Sequence, residues 1–252
     1  MGKIVVLLFG LFSYLVFFVT FLYAVGFVGN LYVPKSIDSG VHGPLLSSAL
    51  INLVLLTVFA LQHSVMARPG FKEAWTKIIP KSIERSVYVL LSSLALILLF
   101  WQWRPMTDLV WNVENSAGRG LLWGLFAMGW LTVLLSTFMI NHFDLFGLRQ
   151  VYHASRGTDP SDLPFQTKWL YKLVRHPIML GFIIAFWAIP TMSYGHLLFA
   201  LVTTAYIFVA VQIEERDLVA HHGERYLLYQ RQVSMLIPIP KVADSPGVEK
   251  PV

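Results

Sequence analysis

The side chains with the clearest potential for chemistry lie at the ends of two apolar segments in the last third of the chain. Arg175, His176 and Pro177 precede one segment, and Glu214 and Glu215 follow the next. Pro177 has no N–H and fits the first turn of a helix, so the two residues before it lie where free backbone N–H groups favour an anion. Ionisable groups at such positions are costly beside lipid and commonly mark functional sites.

Each half of this pattern also has a simpler interpretation. Arginine and histidine at a membrane boundary can serve only as interfacial anchors. At helical spacing Glu214, Asp217 and His221 share one face, where acidic groups suit ribose hydroxyls or an ammonium group; the alternative is a solvated helix end paired with Arg216 and Arg225. The sequence leaves both alternatives open.

Composition identifies the broad class of protein. Of the 252 residues, 56% are hydrophobic and 13% are charged, and the mean hydropathy is +0.63. These values predict an integral membrane protein. The chain has no cysteine, which excludes disulfides, thiolate metal sites and cysteine nucleophiles. The net charge of +5 comes from Lys and Arg in several loops, a pattern that indicates membrane topology rather than nucleic-acid binding.

The pattern of apolar residues predicts an all-α membrane protein with about six transmembrane helices. The segments run over residues 4–31, 45–66, 86–103, 120–140, 178–190 and 196–213. The fifth is short and needs residues 170–174 to complete it. A tight turn over Thr191–Gly195 should join the last two as a hairpin. We read the first as a retained span, not a signal peptide.

Two further interpretations concern glycines and the end of the chain. Gly118, Gly120 and Gly124 indicate close helix packing rather than a nucleotide-binding loop. A helix over residues 214–232 should leave the membrane, with a break at Gly223 followed by an amphipathic anchoring segment that carries Tyr226 and Tyr229. Residues 1–240 then form a single membrane-embedded domain, and residues 241–252 form a disordered tail.

The distribution of positive charge predicts the orientation. If both termini lie on one side, that side carries sixteen of the nineteen Lys and Arg residues, and the other side carries Lys35, Arg104 and Arg119. This asymmetry predicts cytoplasmic termini. It also brings His176 and Glu214 to the same face of the membrane.

The motifs together resemble a known superfamily. Arg-His-Pro-x-x-x-Gly, an apolar hairpin, Glu-Glu-x-x-Leu and Gly-x-x-Tyr-x-x-Tyr occur in this order between residues 170 and 238. This pattern resembles the isoprenylcysteine carboxyl methyltransferase superfamily of membrane enzymes, which use S-adenosylmethionine on the cytoplasmic side. The resemblance implies a cofactor site formed by Tyr171, Arg175, His176, Pro177, Gly181, Glu214, Glu215, Tyr226 and Tyr229. Met179 stands where many members have an aromatic residue.

Upstream segments are similar to one branch of that superfamily. Gln62-His63-Ser64 and the segment from Asn141 to Tyr152 resemble the methanethiol S-methyltransferase family, often called NnrU-like. The resemblance implies methylation of methanethiol by S-adenosylmethionine to give dimethyl sulfide, in a bacterial inner membrane. The partners are then a small volatile thiol and the lipid bilayer, without nucleic acid; the oligomeric state is left open.

This chemistry requires a thiolate, whereas a small alkanethiol is mostly protonated at neutral pH. His142 is the first candidate for the base because imidazole titrates near neutral pH. Asp144 could orient His142 or act alone, His63 is the second candidate, and Tyr152 could hydrogen-bond the sulfur or the cofactor. Each also suits a structural role, as a helix contact, a helix cap or an interfacial aromatic.

Other functions remain compatible with the sequence. The substrate could be another thiol or an isoprenyl-cysteine carboxylate. In a different class, the chain could be a non-catalytic membrane protein of nitrogen-oxide metabolism that binds haem through histidine, or a reductase on a related scaffold. A metal site made by His63, His142 and His176 is disfavoured, because no HxxxH or HExxH spacing supports it.

Overall fold

The computed structural model describes residues 2–161 and 165–239. The elements in chain order are α1 (Lys3–Gly29), α2 (Leu45–Ala67), α3 (Pro69–Trp75), α4 (Lys81–Gln102), β1 (Leu109–Asn112), α5 (Ser116–Ile140), α6 (His142–Leu145), α7 (Leu148–Arg156), a 3₁₀ helix (Trp169–Lys172), α8 (Pro177–Trp187), β2 (Thr191–Ser193), α9 (Tyr194–His222) and α10 (Glu224–Gln232). The tail predicted over residues 241–252 lies outside the described residues.

Five of these helices, α1, α2, α4, α5 and α9, are long and apolar enough to cross a membrane. Each has at least 22 residues, which at 1.5 Å per residue reaches the roughly 30 Å of a bilayer core. Their outer faces carry exposed large apolar side chains such as Leu8, Leu15 and Leu131. The chain is therefore a helical integral membrane protein, as predicted.

The fifth predicted segment forms a shorter helix than the other five. Helix α8 has 11 residues, which is about half of the length that a span requires. The upstream residues expected to complete it form the 3₁₀ helix, Trp169–Lys172. Pro177 occupies the first turn of α8, as its missing N–H predicts.

Close backbone approach joins α5 to α8. A Cβ atom on Gly129 would lie 2.6 Å from the Ala185 nitrogen, and one on Gly181 would lie 2.7 Å from the Gly129 oxygen. Only glycine allows helices to pack this closely. Two of the glycines predicted to make such a contact, Gly120 and Gly124, lie in open space, since a Cβ atom on either would meet no atom within 4 Å. The contact therefore lies further along α5 than expected.

The segment predicted as a tight turn is a strand. Strand β2 pairs antiparallel with β1, with Leu109 opposite Ser193 and Asn112 opposite Thr191. Helix α9 begins immediately afterwards, and the Ser193 side chain caps it by accepting a hydrogen bond of 3.1 Å from the His196 backbone N–H. The α8–α9 hairpin is therefore closed by pairing with a distant loop rather than by a local turn.

The last apolar segment and the helix predicted after it are continuous. Helix α9 runs from Tyr194 through both glutamates to His222. Gly223 then breaks it, as predicted, with φ of 57° and ψ of −135°. After α10 the chain returns alongside the start of α8, where the Arg175 backbone N–H donates to the Ser234 oxygen at 2.8 Å.

Candidate functional site

The carboxylate of Glu215 is the centre of a hydrogen-bonded cluster at the end of α9. It accepts two hydrogen bonds from Arg175, from Nε at 2.6 Å and from Nη2 at 3.1 Å. His176 Nε2 donates to it at 3.0 Å and Gln230 Nε2 at 2.8 Å. The Tyr226 hydroxyl lies 3.5 Å from the same carboxylate. Side chains from three separate segments thus meet at one negative charge.

The cluster is buried, and this burial determines how the cluster contributes to stability. The side chain of Glu215 is 12% exposed and that of Arg175 is 7% exposed. The remaining Arg175 nitrogen, Nη1, donates to the backbone oxygens of Gln230 and Val233. A buried ion pair persists when both charges keep their hydrogen-bond partners. Loss of one partner destabilises the protein, because it leaves an uncompensated buried charge. Arg175 and Glu215 therefore hold α8, α9 and α10 together.

Tyr171 and Tyr229 extend this cluster toward α5. The Tyr229 hydroxyl donates to the backbone oxygen of Tyr171, whose own hydroxyl lies 3.5 Å from the Ser136 oxygen. Burial raises the pKa of Tyr229 to about 12. Burial also raises the pKa of Tyr171, and the nearby charge of Glu214 adds to that effect. Both phenols are therefore neutral donors at physiological pH.

Glu214, next to Glu215 in the sequence, has a different environment. Its side chain is 45% exposed, and its ion-pair contact is to His176 Nδ1 at 3.8 Å. Glu214 is thus an accessible carboxylate, a group that suits a cationic ligand.

The other residues to which the resemblance assigns a cofactor role contribute to packing. Pro177 is fully buried in the first turn of α8. Gly181 lies at the close contact with Gly129. Tyr226 is 2% exposed, and burial together with the Glu215 charge raises the pKa of its phenol. Pro177 and Gly181 thus contribute to the packing of α8, and Tyr226 to that of α10.

His142, the first candidate for the base, lies in a different cluster. Its ring is 3% exposed and stacks on Phe138 with centroids 4.1 Å apart. Thr137 Oγ1 lies 2.8 Å from Nδ1 and also donates to the Leu134 oxygen at 2.7 Å. Because a hydroxyl has one proton, Nδ1 must donate to Thr137. The Tyr14 hydroxyl, 2.8 Å from Nε2, then donates to the imidazole.

These contacts fix His142 as a neutral imidazole with both nitrogens engaged. Burial lowers its pKa below the ordinary value, because loss of solvent disfavours the charged imidazolium. A cavity of about 330 Å³ lies beside the ring and is also lined by Asn141, Phe143 and Lys168.

Asp144 and Tyr152 make contacts that do not involve His142. The carboxylate of Asp144 pairs with Arg149 at 3.1 Å and accepts from Gln150 at 3.3 Å. Tyr152 is 48% exposed, and its hydroxyl accepts from Arg156 Nη1 at 2.6 Å. Asp144 thus connects α6 to α7, and Tyr152 lies on the outer face of α7.

His63, the second candidate for the base, lies among side chains of α2 and α4. The Tyr88 hydroxyl is 3.0 Å from its Nε2, and Ser92 Oγ is 3.3 Å from its Nδ1. One residue further along α2, Ser64 Oγ lies 3.0 Å from the Tyr206 hydroxyl. Further along α2, Arg68 pairs with Asp217 of α9 at 2.8 Å, so α2 packs along the helix that carries Glu214.

Several of these side chains were missed by the sequence analysis. Tyr14, Tyr88 and Tyr206 each occur singly in long apolar helices, where an aromatic residue is unremarkable. The signal that could have identified them is a hydroxyl at membrane depth, which needs a partner. Gln230 was also missed, because its contact with Glu215 depends on the turn at Gly223. Within the described ranges, no group of three or more His, Asp or Glu side chains has a metal-binding arrangement.

Comparison with known proteins gives consistent similarities. The family described as "NnrU protein" matches residues 51–221. A protein named methanethiol S-methyltransferase from Mycobacterium tuberculosis is 58% identical over 240 residues, covering 95% of this chain and 98% of that protein. One with the same name from Crocosphaera subtropica is 54% identical over 94% of this chain and 93% of its own length.

A more distant similarity extends to animals. Nurim from Mus musculus is 30% identical over 196 residues, covering 75% of this chain and 72% of that protein. No solved structure matches the chain.

Proposed function

Because this chain belongs to the NnrU family, we propose that it transfers a methyl group to methanethiol and forms dimethyl sulfide. The observation that carries this proposal is the high identity, over nearly the whole of both chains, to proteins named methanethiol S-methyltransferase. The match extends over 95% of this chain.

We propose S-adenosylmethionine as the methyl donor. This molecule supplies an electrophilic methyl group on a sulfonium sulfur, and it also carries an ammonium group. The residues present fit such a cation, because the carboxylate of Glu214 is accessible. Carboxylates and aromatic faces are the protein groups that attract cations.

The buried cluster gives this site its rigidity. Arg175 neutralises Glu215, and His176 Nε2 lies 3.0 Å from the same carboxylate, so that Glu214 supplies the negative charge that is available for a ligand. Tyr226 and Tyr229 hold α10 against the same cluster. In this proposal Arg175, His176, Glu215 and the two tyrosines position the site, and Glu214 binds the cofactor.

The membrane environment favours the reaction. A thiolate and a sulfonium lose their charges when they react, so a dry site raises the energy of the charged reactants relative to the transition state. The candidate residues lie at the ends of the long apolar helices or between them, and the outer faces of these helices expose large apolar side chains. A small apolar thiol partitions into the same surroundings. We further propose that both termini are cytoplasmic, in a bacterial inner membrane, as the distribution of Lys and Arg predicts.

The test is turnover by the purified protein in detergent or nanodiscs. Methanethiol and S-adenosylmethionine should yield dimethyl sulfide in the headspace, measured by gas chromatography. Binding of S-adenosylhomocysteine, measured by calorimetry, verifies the cofactor site independently. If the protein binds S-adenosylhomocysteine but forms no dimethyl sulfide, the proposed substrate is wrong; if it does not bind, the proposed methyl donor is wrong.

A further inference from the structure

Four aromatic side chains meet between α2, α4 and α9, next to the candidate cofactor site. We call Phe59, His63, Tyr88 and Tyr206 the aromatic cluster. The ring of His63 stacks on Phe59 with centroids 5.3 Å apart and lies 5.2 Å from the ring of Tyr88. Phe59 in turn contacts the ring of Tyr206, at 6.4 Å. The cluster is therefore continuous across three transmembrane helices.

The polar atoms of this cluster are satisfied by each other. Tyr88 and Ser92 contact the imidazole of His63, and Ser64 contacts Tyr206. A titratable ring held by hydroxyl groups at membrane depth is expensive to maintain and commonly has a function. As a residue, His63 is partly exposed, whereas His142 is 3% exposed.

The cluster also lies along the helix that carries the carboxylate assigned to the cofactor. Two contacts join α2 to α9: Ser64 Oγ lies 3.0 Å from the Tyr206 hydroxyl, and Arg68 Nη1 lies 2.8 Å from the Asp217 carboxylate. Glu214 lies between Tyr206 and Asp217 on α9, so a ligand held by the cluster and a ligand held by Glu214 share the same α2–α9 contact. This adjacency is what a reaction between two bound molecules requires.

We propose that the aromatic cluster binds the alkanethiol and that His63 accepts the thiol proton; this inference rests on the proposed function. The S–H bond breaks, its proton passes to a ring nitrogen of His63, and the electron pair remains on sulfur. That sulfur forms the new bond to the methyl carbon, while the electrons of the methyl group's former bond stay with the donor's sulfur. The charges of thiolate and sulfonium cancel, and the proton later leaves His63 for solvent.

The surrounding side chains suit a small thiol. Sulfur makes favourable contacts with aromatic rings, and Phe59 and Tyr206 supply such rings. Tyr88 is a positioning residue, because its hydroxyl holds the imidazole of His63, and its own ring lies 5.3 Å from the Arg85 guanidinium carbon. Tyr88→Phe should therefore weaken catalysis less than His63→Gln.

The first experiment compares two thiols that differ in acidity. His63→Gln should slow turnover of methanethiol by about 10²-fold or more, the usual contribution of a general base. With thiophenol, which is already largely ionised in a mildly alkaline assay, the same variant should lose less than about tenfold, because no proton needs to be removed. His153→Gln, in the last turn of α7, is the matched control and should behave as wild type with both thiols.

The second experiment does not depend on turnover. In protein labelled with ¹⁵N-histidine and saturated with S-adenosylhomocysteine, methanethiol should shift the imidazole resonance of His63, identified by its absence from His63→Gln. If methanethiol shifts the His142 resonance and not that of His63, the assignment is overturned. Equal losses of turnover with both thiols in His63→Gln would also overturn the base role. Failure of the proposed function is distinguishable from these two results, because the wild-type protein would then form no dimethyl sulfide.

Discussion

The adjacent glutamates offer a sharp test, because their surroundings predict opposite consequences for the same substitution. Glu215→Gln would replace a carboxylate that accepts hydrogen bonds from Arg175, His176 and Gln230. The amide nitrogen would direct a donor toward donors, and the charge of Arg175 would be left uncompensated. Glu214→Gln would change a side chain that is 45% exposed.

The magnitudes follow from burial. Removing one partner of a buried ion pair costs about 3–5 kcal/mol, and the side chains of Glu215 and Arg175 are 12% and 7% exposed. For a domain of this size 1 kcal/mol corresponds to roughly 2–4 °C in Tm, so Glu215→Gln should lower Tm by about 6–20 °C. A half-exposed pair contributes about 0–1 kcal/mol, so Glu214→Gln should lower Tm by no more than about 4 °C.

For ligand binding we expect Glu214→Gln, rather than Glu215→Gln, to remove a direct contact with the ligand. Glu214→Gln should weaken S-adenosylhomocysteine binding by about tenfold or more, since a charge-assisted hydrogen bond is worth about 1.5–3 kcal/mol. Thermal unfolding in detergent and calorimetry, on the same preparations, measure the two quantities. The reasoning would be refuted if Glu215→Gln kept the wild-type Tm, or if Glu214→Gln lowered Tm as much as Glu215→Gln while binding stayed unchanged.

Two further predictions concern packing and pH. Gly129→Ala should lower Tm by several degrees, because its Cβ would lie 2.6 Å from the Ala185 nitrogen. Gly124→Ala on the same helix is the control; its Cβ would meet no atom within 4 Å, so Tm should stay unchanged or rise slightly. Equal Tm values for the two variants would contradict the close α5–α8 contact. Burial lowers the pKa of His142 from 6.5, so the unfolded chain takes up this proton first as pH falls. The stability due to neutral His142 is full above about pH 6.5 and declines below it. Between pH 7.5 and 5.5, Tm should fall further in wild type than in His142→Asn, and parallel Tm curves would show that His142 titrates alike in both states.

The sequence predicted the class and much of the local structure. Long apolar runs identify α1, α2, α4, α5 and α9, because a bilayer of fixed thickness requires helices of that length. Pro177 and Gly223 predicted a helix start and a helix break, since each residue restricts or frees its own backbone. These features depend on neighbouring residues alone.

Strand β2 was beyond local prediction. Residues 191–193 have the composition of a turn, and they become a strand because β1, about 80 residues earlier in the chain, supplies its hydrogen-bonding partners. The helix predicted after Ile213 continues α9 without a break. Its charged last turns are stabilised by Arg68, which pairs with Asp217 at 2.8 Å, and by Arg175.

The motifs around residues 175 and 214 indicated a site by sequence alone, but the roles of its members depend on tertiary contacts. Helical periodicity assigns Glu214 and Glu215 to different faces, yet only the packing of α8 and α10 shows that Glu215 meets Arg175 while Glu214 stays accessible. In the same way, both His63 and His142 have the chemistry of a base. Helices far apart in sequence decide which rings the two histidines stack on and which hydroxyls they contact. The sequence of one helix face does not specify which other helix packs against it.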